Sequence, residues 1–474
     1  MNGKKVFFEK VKTVILVVLF FMTILLLYFL WYGMPSAKFA FSKQEEPTKA
    51  IEMESVVIPE NILISKGGED FVNDHTGRGM LWNAYILPEI RRMCSASPMV
   101  TEEISKEQYK KIENSNAVIA QFAYLMDFTD FCKNFDIKEF QGIDKIESFS
   151  ELSFSTASTE SIFVSDPQRE KYYRLIGNFK TDIMDKIMEL ANDGDFQTYY
   201  RLGTLTGNDS KYDVFVPIDE PKAIPDFELG RTLSEISEKE HDKIAEAYFG
   251  NSFDFVRKVK ENDGTVAYMY GYGKITLTID LKHGAVEYKN DSDKAGSQTA
   301  LQALNTALAF AGQKRCFETV AGDVSQVVLK KISAISDESS NQNKKTGYKF
   351  EFSILADGYE IFSNSKSAIV IDVVNGEVTY FYKNFFTRFI QASGRMKATL
   401  QPIDIIVENH EALLAKTDEK EKAAKLQFND VIQEIRSMKY GYLKQKNMLV
   451  PVWEIRLGVN TAAYFDPSTG KEIE

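Results

Sequence analysis

From Val14 to Tyr32 the chain carries no charge, no Gly and no Pro, and Thr23 alone interrupts the run of large apolar side chains. A helix of that length covers roughly 28 Å, close to the hydrocarbon thickness of a bilayer, so the pattern predicts one membrane-spanning helix at 14–32. Residues 33–55, with Pro35, Pro47 and mixed charge, read as a linker. From Ser55 onward the pattern becomes that of a folded α+β chain. The run 81–87 predicts a buried helix. Ser105 followed by Gln108 predicts a capping box opening a short helix through Ile112. Residues 117–124 read as a strand, followed by Phe128 and Phe131 one helical turn apart. Ile183, Ile187 and Leu190 form an apolar helical face that stops at Gly194. These elements assign 56–222 to one extracytoplasmic α+β domain.

Past Pro221 and Pro225 the chain repeats itself. Ile279-Asp280 with Gly284, Ile371-Asp372 with Gly376, and Phe465-Asp466 with Gly470 each place Asp four residues before Gly between apolar stretches. The spacing predicts a strand, a turn whose Gly takes a positive φ, and a returning strand. Helical apolar faces precede each copy: Ile236, Ile244 and Tyr248, then Leu301, Leu304 and Leu308, then Leu413 and Leu414. Strand-like runs follow at 266–270, 348–355 and 450–457. The reading is a series of modules, each a helix against an antiparallel meander, divided as 223–315 and 316–474.

Charge sets the orientation. Lys4, Lys5, Lys10 and Lys12 precede the apolar run, opposed by Glu9. The positive-inside rule puts residues 1–13 in the cytoplasm as a short stub and the large remainder outside. A cleaved signal peptide is the competing reading, but its apolar region would be shorter, and cleavage after Ala40 would set Lys38 where a small residue belongs. The formal charge is −11. Residues 1–32 hold +3 of charge, so the exterior portion is near −14, which opposes nucleic acid or anionic lipid as a partner. Three widely spaced cysteines, Cys94, Cys132 and Cys316, make no disulfide framework. A Cys94–Cys132 bridge stays open.

No catalytic, cofactor-binding or metal-ligating constellation emerges. His75, His241, His283 and His410 lie in unrelated segments, and neither HExxH, CxxC nor GxSxG occurs. Ser363 to Lys366 matches SxxK and Lys345-Thr346-Gly347 matches KTG, but in the wrong order and with the Ser in a polar loop, so chance accounts for both. Asp291-Ser292-Asp293 with Gly296 imitates a calcium loop that fails at Ala295 and Gln302. Gly271-Tyr272-Gly273 reads as a tight link between strands. The densest aromatic stretch, Tyr380 to Phe389, is either core on both faces or a partner surface with aromatic and Arg anchors.

The residues Ala247-Tyr248-Phe249-Gly250-Asn251, Val256-Arg257, Tyr268-Met269-Tyr270-Gly271, Leu277 and Val286-Glu287-Tyr288-Lys289-Asn290 resemble the middle of the YycH family. The pattern from Val118 to Phe131 fits that family's first domain. Residues 348–362, 369–382 and Pro451-Val452-Trp453-Glu454-Ile455 are similar to the partner family YycI and to PepSY-type repeats. The last turn departs, with Phe465 in place of Ile and no aromatic after it. The resemblance implies a single-pass accessory protein of a Gram-positive-type bacterium. Such proteins attach to an essential sensor histidine kinase that governs cell-wall metabolism and adjust it through the membrane helix and the external domains. A paralogous accessory membrane protein is the second implied partner, and no enzymatic activity is implied. The rival expectation is an extracytoplasmic ligand-binding sensor, or a PepSY-like inhibitor of a wall hydrolase or protease. A pocket with convergent polar groups would favour it. An anchored enzyme acting on the wall is a third.

Overall fold

The computed structural model describes residues 12–13, 15–24 and 50–473, except 97, 179, 195, 209, 220–221, 292–295, 337–345, 364–365, 385–386, 393–398, 417–427 and 459–460. Residues 15–24 are helical, and Ile15 to Ile24 leave their large apolar side chains 47–70% exposed. The rest of the predicted span, Val14 and 25–32, lies outside the described residues, as does most of the stub and linker. No helix among the described residues is long and apolar enough to cross a membrane. The Thr23 hydroxyl donates to the Leu19 carbonyl at 2.8 Å, within its own helix.

The first half is a nine-stranded antiparallel sheet. At its centre Asn116–Asp127 lies between Ser148–Ser155 and Asn61–Lys66. Period-two alternation splits this strand's side chains. Val118, Ala120 and Phe122 enter the main core, while Ile119 joins Leu63, Phe71 and Phe215 on the opposite face. Phe122 meets Trp82 edge-to-face at 5.3 Å. Trp82 sits on a π-helical turn, Leu81–Ile86, that runs into helix Leu87–Ala96, so the apolar run 81–87 is helical as its pattern indicates. The capping box forms: Ser105 accepts from the Gln108 amide and Gln108 from the Ser105 amide. Helix Ile183–Asp193 ends at Gly194.

The second half is built on a 15-stranded sheet. Arg257–Lys260, Thr265–Tyr270, Ile275–Asp280 and Ala285–Asn290 form an antiparallel meander. Its last strand pairs with Glu377–Lys383, which continues through Ile369–Val374 to Thr346–Ala356. The first and third predicted turns share one geometry. Asp280 accepts from the Lys282 and His283 amides at 3.0 and 2.9 Å, and Asp466 accepts from the Ser468 and Thr469 amides at 2.8 and 2.9 Å. Gly284 and Gly470 then take φ of 66° and 67°. The middle copy differs. Asn375 and Gly376, at φ 53° and 79°, make a tight two-residue turn, so Asp372 lies inside Ile369–Val374 and holds no corner. The last returning strand is the two-residue Glu472–Ile473.

The two halves interlock. Asp130, buried at the foot of the first sheet, accepts from the Thr299 hydroxyl at 2.6 Å and the Leu301 amide at 2.8 Å. It thereby supplies a carboxylate to the N-terminus of helix Ala300–Gln313, where free amides favour negative charge. One continuous hydrophobic core runs from Met53 to Phe465.

Candidate functional site

Strand Thr346–Ala356 belongs to two arms of the second sheet. Its residues Gly347 to Phe352 pair with Ile369–Val374. Its end, Leu355 and Ala356, pairs instead with Tyr359–Phe362, which lies parallel to Ile435–Gln445. Where the arms part, a cleft of about 1170 Å³ opens, closed on one side by Glu60 and Ala123 of the first half. Alternation along the shared strand turns Lys349, Glu351 and Ser353 into it.

At its base is an ion cluster drawn from four segments. Lys330 reaches Glu60 at 2.5 Å and Glu360 at 2.8 Å, Lys439 bonds Glu60 as well, and the Ser353 hydroxyl donates to Glu360 at 2.5 Å. Burial opposes ionisation of both carboxyls, but the two ammonium groups outweigh it. Glu60 is held well below the usual carboxylate range and Glu360 falls to about 2. His75 stands close by, its ring 5.7 Å from that of Tyr359, and burial together with Arg78, Lys330 and Lys439 keeps it neutral. Higher in the cleft Lys416 pairs with Glu472, Arg456 with buried Glu454, and Lys331 approaches Glu351 at 3.7 Å.

Lys366 is held differently. Its ammonium donates to the Tyr380 hydroxyl and lies 3.6 Å from the centre of the Tyr382 ring. Arg436, across the cleft, stacks its guanidinium 4.7 Å over Tyr212. Asp372 is the register partner of Lys349, and its Oδ1 is buried without a hydrogen bond. Burial pushes its carboxyl upward against the pull of Lys349 and Lys366.

The residues weighed from sequence fall elsewhere or take other roles. Ser363 follows strand Tyr359–Phe362 rather than opening a helix, and Asn364, Ser365 and Lys345 lie outside the described residues. Residues 292–295 of the calcium-like stretch are outside them too. His241 bonds the Leu233 carbonyl at 2.8 Å, His283 its own turn's Asp280, and His410 the Val407 carbonyl, so the histidines do not converge. Cys94, Cys132 and Cys316 are free thiols, all buried. Among the described residues no three His, Cys, Asp or Glu side chains group to hold a metal ion. Of the aromatic stretch, Phe381 is core, packed on Tyr248 and Phe310, while Tyr380 and Tyr382 clasp Lys366. Phe385 and Phe386 are outside the described residues.

Among the described residues outside the 15–24 helix, the exposed Phe, Tyr and Trp side chains are instead Phe255, at 74% exposure, and Tyr272, fully exposed. Arg257 pairs with Met269, so both emerge at one end of the meander. Tyr272 holds a left-handed backbone between Gly271 and Gly273.

No protein-family model and no curated protein matches the chain. Among solved structures, YycH from Bacillus subtilis superposes with a TM-score of 0.54 at 12% identity, over 90% of this chain and 97% of that one. This chain has the YycH fold. At that coverage the YycH likeness runs through most of the C-terminal third. An uncharacterized protein from Eubacterium rectale gives a TM-score of 0.37 at 13% identity, over 56% of this chain and 91% of that one, too low to carry an argument.

Proposed function

We propose that this chain is a membrane-anchored extracytoplasmic accessory protein that binds a sensor histidine kinase of a cell-wall-regulating two-component system. The observation that carries this reading is the YycH fold, matched over nearly the whole of both chains. The apolar run at 14–32 and the lysines before it support the anchor and its orientation. In this reading the protein acts by contact. It favours one of two kinase conformations, and the difference in its affinity for the two sets how far the population shifts. The YycI- and PepSY-like character of 316–474, a paralogous membrane partner and the absence of catalysis belong to the same reading.

The external contact is assigned to Phe255 and Tyr272, since exposed aromatic anchors dominate binding energy at interfaces. Replacing both with Ala is expected to lower the kinase recovered with the full chain by tenfold or more while leaving its thermal unfolding unchanged. Exchanging 14–32 for an unrelated membrane helix is expected to weaken recovery further. Full recovery in both variants rules out these contacts.

A second reading, an extracytoplasmic ligand sensor, is favoured by the charged cleft between the sheet arms.

A further inference from the structure

The cleft carries positive charge that its own carboxylates do not neutralise. Lys330, Lys439, Lys331, Lys416 and Arg456 all meet an acidic side chain. Lys349, Lys366 and Arg436 do not: among the described residues no carboxylate lies within 4.0 Å of any of them. This surplus sits in a protein whose formal charge is −11.

Two of the three are positioned by neutral groups. The Tyr380 hydroxyl and the Tyr382 ring fix Lys366, and the Tyr212 ring fixes Arg436. Such cation–π contacts contribute only modestly and leave N–H donors unspent. Lys366 is half-buried, and the solvation its charge loses outweighs the pull of Glu287 and Asp372, neither of which pairs with it directly. Asp372, the register partner of Lys349, leaves its Oδ1 buried without a hydrogen bond. The walls come from different arms of the sheet, with Lys349 and Lys366 on one and Arg436 on the other. Lys349 and Lys366 are half-buried, so they attract an anion more strongly than surface lysines do, while Arg436 stands exposed on the opposite wall.

We propose that this cleft binds a small oxyanion carrying at least two negative charges, borne on phosphate or carboxylate groups. One charged end sits between Lys349 and Lys366. The other end meets Arg436 on the opposite wall, so the ligand bridges the two arms of the sheet. The proposal rests on the ligand-sensing reading and makes no use of the kinase.

The test is calorimetric titration of the full chain, held in phosphatidylcholine nanodiscs at low ionic strength, with tripolyphosphate and with citrate. Saturable binding of at least one of them is expected, and the stronger of the two identifies the source of the charge. Lys366→Gln and Arg436→Gln should each weaken it at least tenfold, Lys366→Arg by no more than about threefold, and exposed Lys138→Gln not at all. Acetate at matched ionic strength should not saturate. If Lys366→Gln does not fold, Lys349→Gln carries the same expectation. Absence of saturable binding by both probes, or equal affinity in the Gln variants and the original chain, overturns the proposal. Kinase recovery does not enter, so failure here is distinct from failure of the accessory reading.

Discussion

Replacing Glu60 with Ala is expected to lower the unfolding free energy by about 3–5 kcal/mol, the usual cost of removing one partner from a buried ion cluster. Glu60 is the contact through which the first sheet reaches Lys330 and Lys439, which stand on different strands of the second. Without it Glu360 alone faces two partly buried ammonium groups. The same cluster fixes a pH dependence. The folded carboxyls of Glu60 and Glu360 are depressed relative to the unfolded chain, Glu360 to about 2. Their contribution is therefore fully present above the unfolded value near 4.5 and is lost as the pH falls toward 2. Urea unfolding monitored at Trp82 in the first half and Trp453 in the second reads both effects, since both indoles are buried. In the Ala variant the two transitions should separate. A loss below about 1 kcal/mol would mean the cluster does not join the halves.

Lys383 is expected to behave in the opposite sense. It is fully buried at the junction of Ala285–Asn290, Ile369–Val374 and Glu377–Lys383, where its ammonium donates to the Glu318 carbonyl at 2.6 Å. Burial lowers its value to about 7, with Cys316 and Glu318 opposing. The unfolded chain holds the proton up to about pH 10.4. Stability is thus greatest above that value, declines as the pH falls toward 7, and levels off below it. Lys383→Met removes the ionisable group and keeps its length. It should raise stability at pH 7 by about 1–3 kcal/mol, net of the donor lost to the Glu318 carbonyl. The gain should shrink above pH 10. Thermal unfolding across that range decides it, and a variant less stable at pH 7 by more than about 1 kcal/mol contradicts this account.

What could be read in advance was local. The period-two run at 117–124, the Ser105 capping box and the Asp280 and Asp466 turns each depend on a few consecutive residues, and each takes the expected form. Asp372 shares the spacing but not the role, because Asn375-Gly376 closes the turn in two residues. The cleft had no such signature. Its residues come from near 60, 330, 350, 366, 436 and 456, and they meet only because one strand pairs with both arms of the sheet. Lys366, set aside as half of a chance SxxK match, owes its place to Tyr380 and Tyr382 on a separate strand. Core was the favoured reading for the stretch around Phe381, with a partner surface left open, because alternation does not say which face of a strand another element covers.

The most direct measurement is recovery of the intact chain, under gentle detergent, from membranes of the cells that make it. A sensor histidine kinase should co-purify in near-stoichiometric amount, and its phosphorylation should change when the chain is removed. A chain recovered without a kinase, or a kinase whose phosphorylation is the same with and without it, would contradict the accessory role.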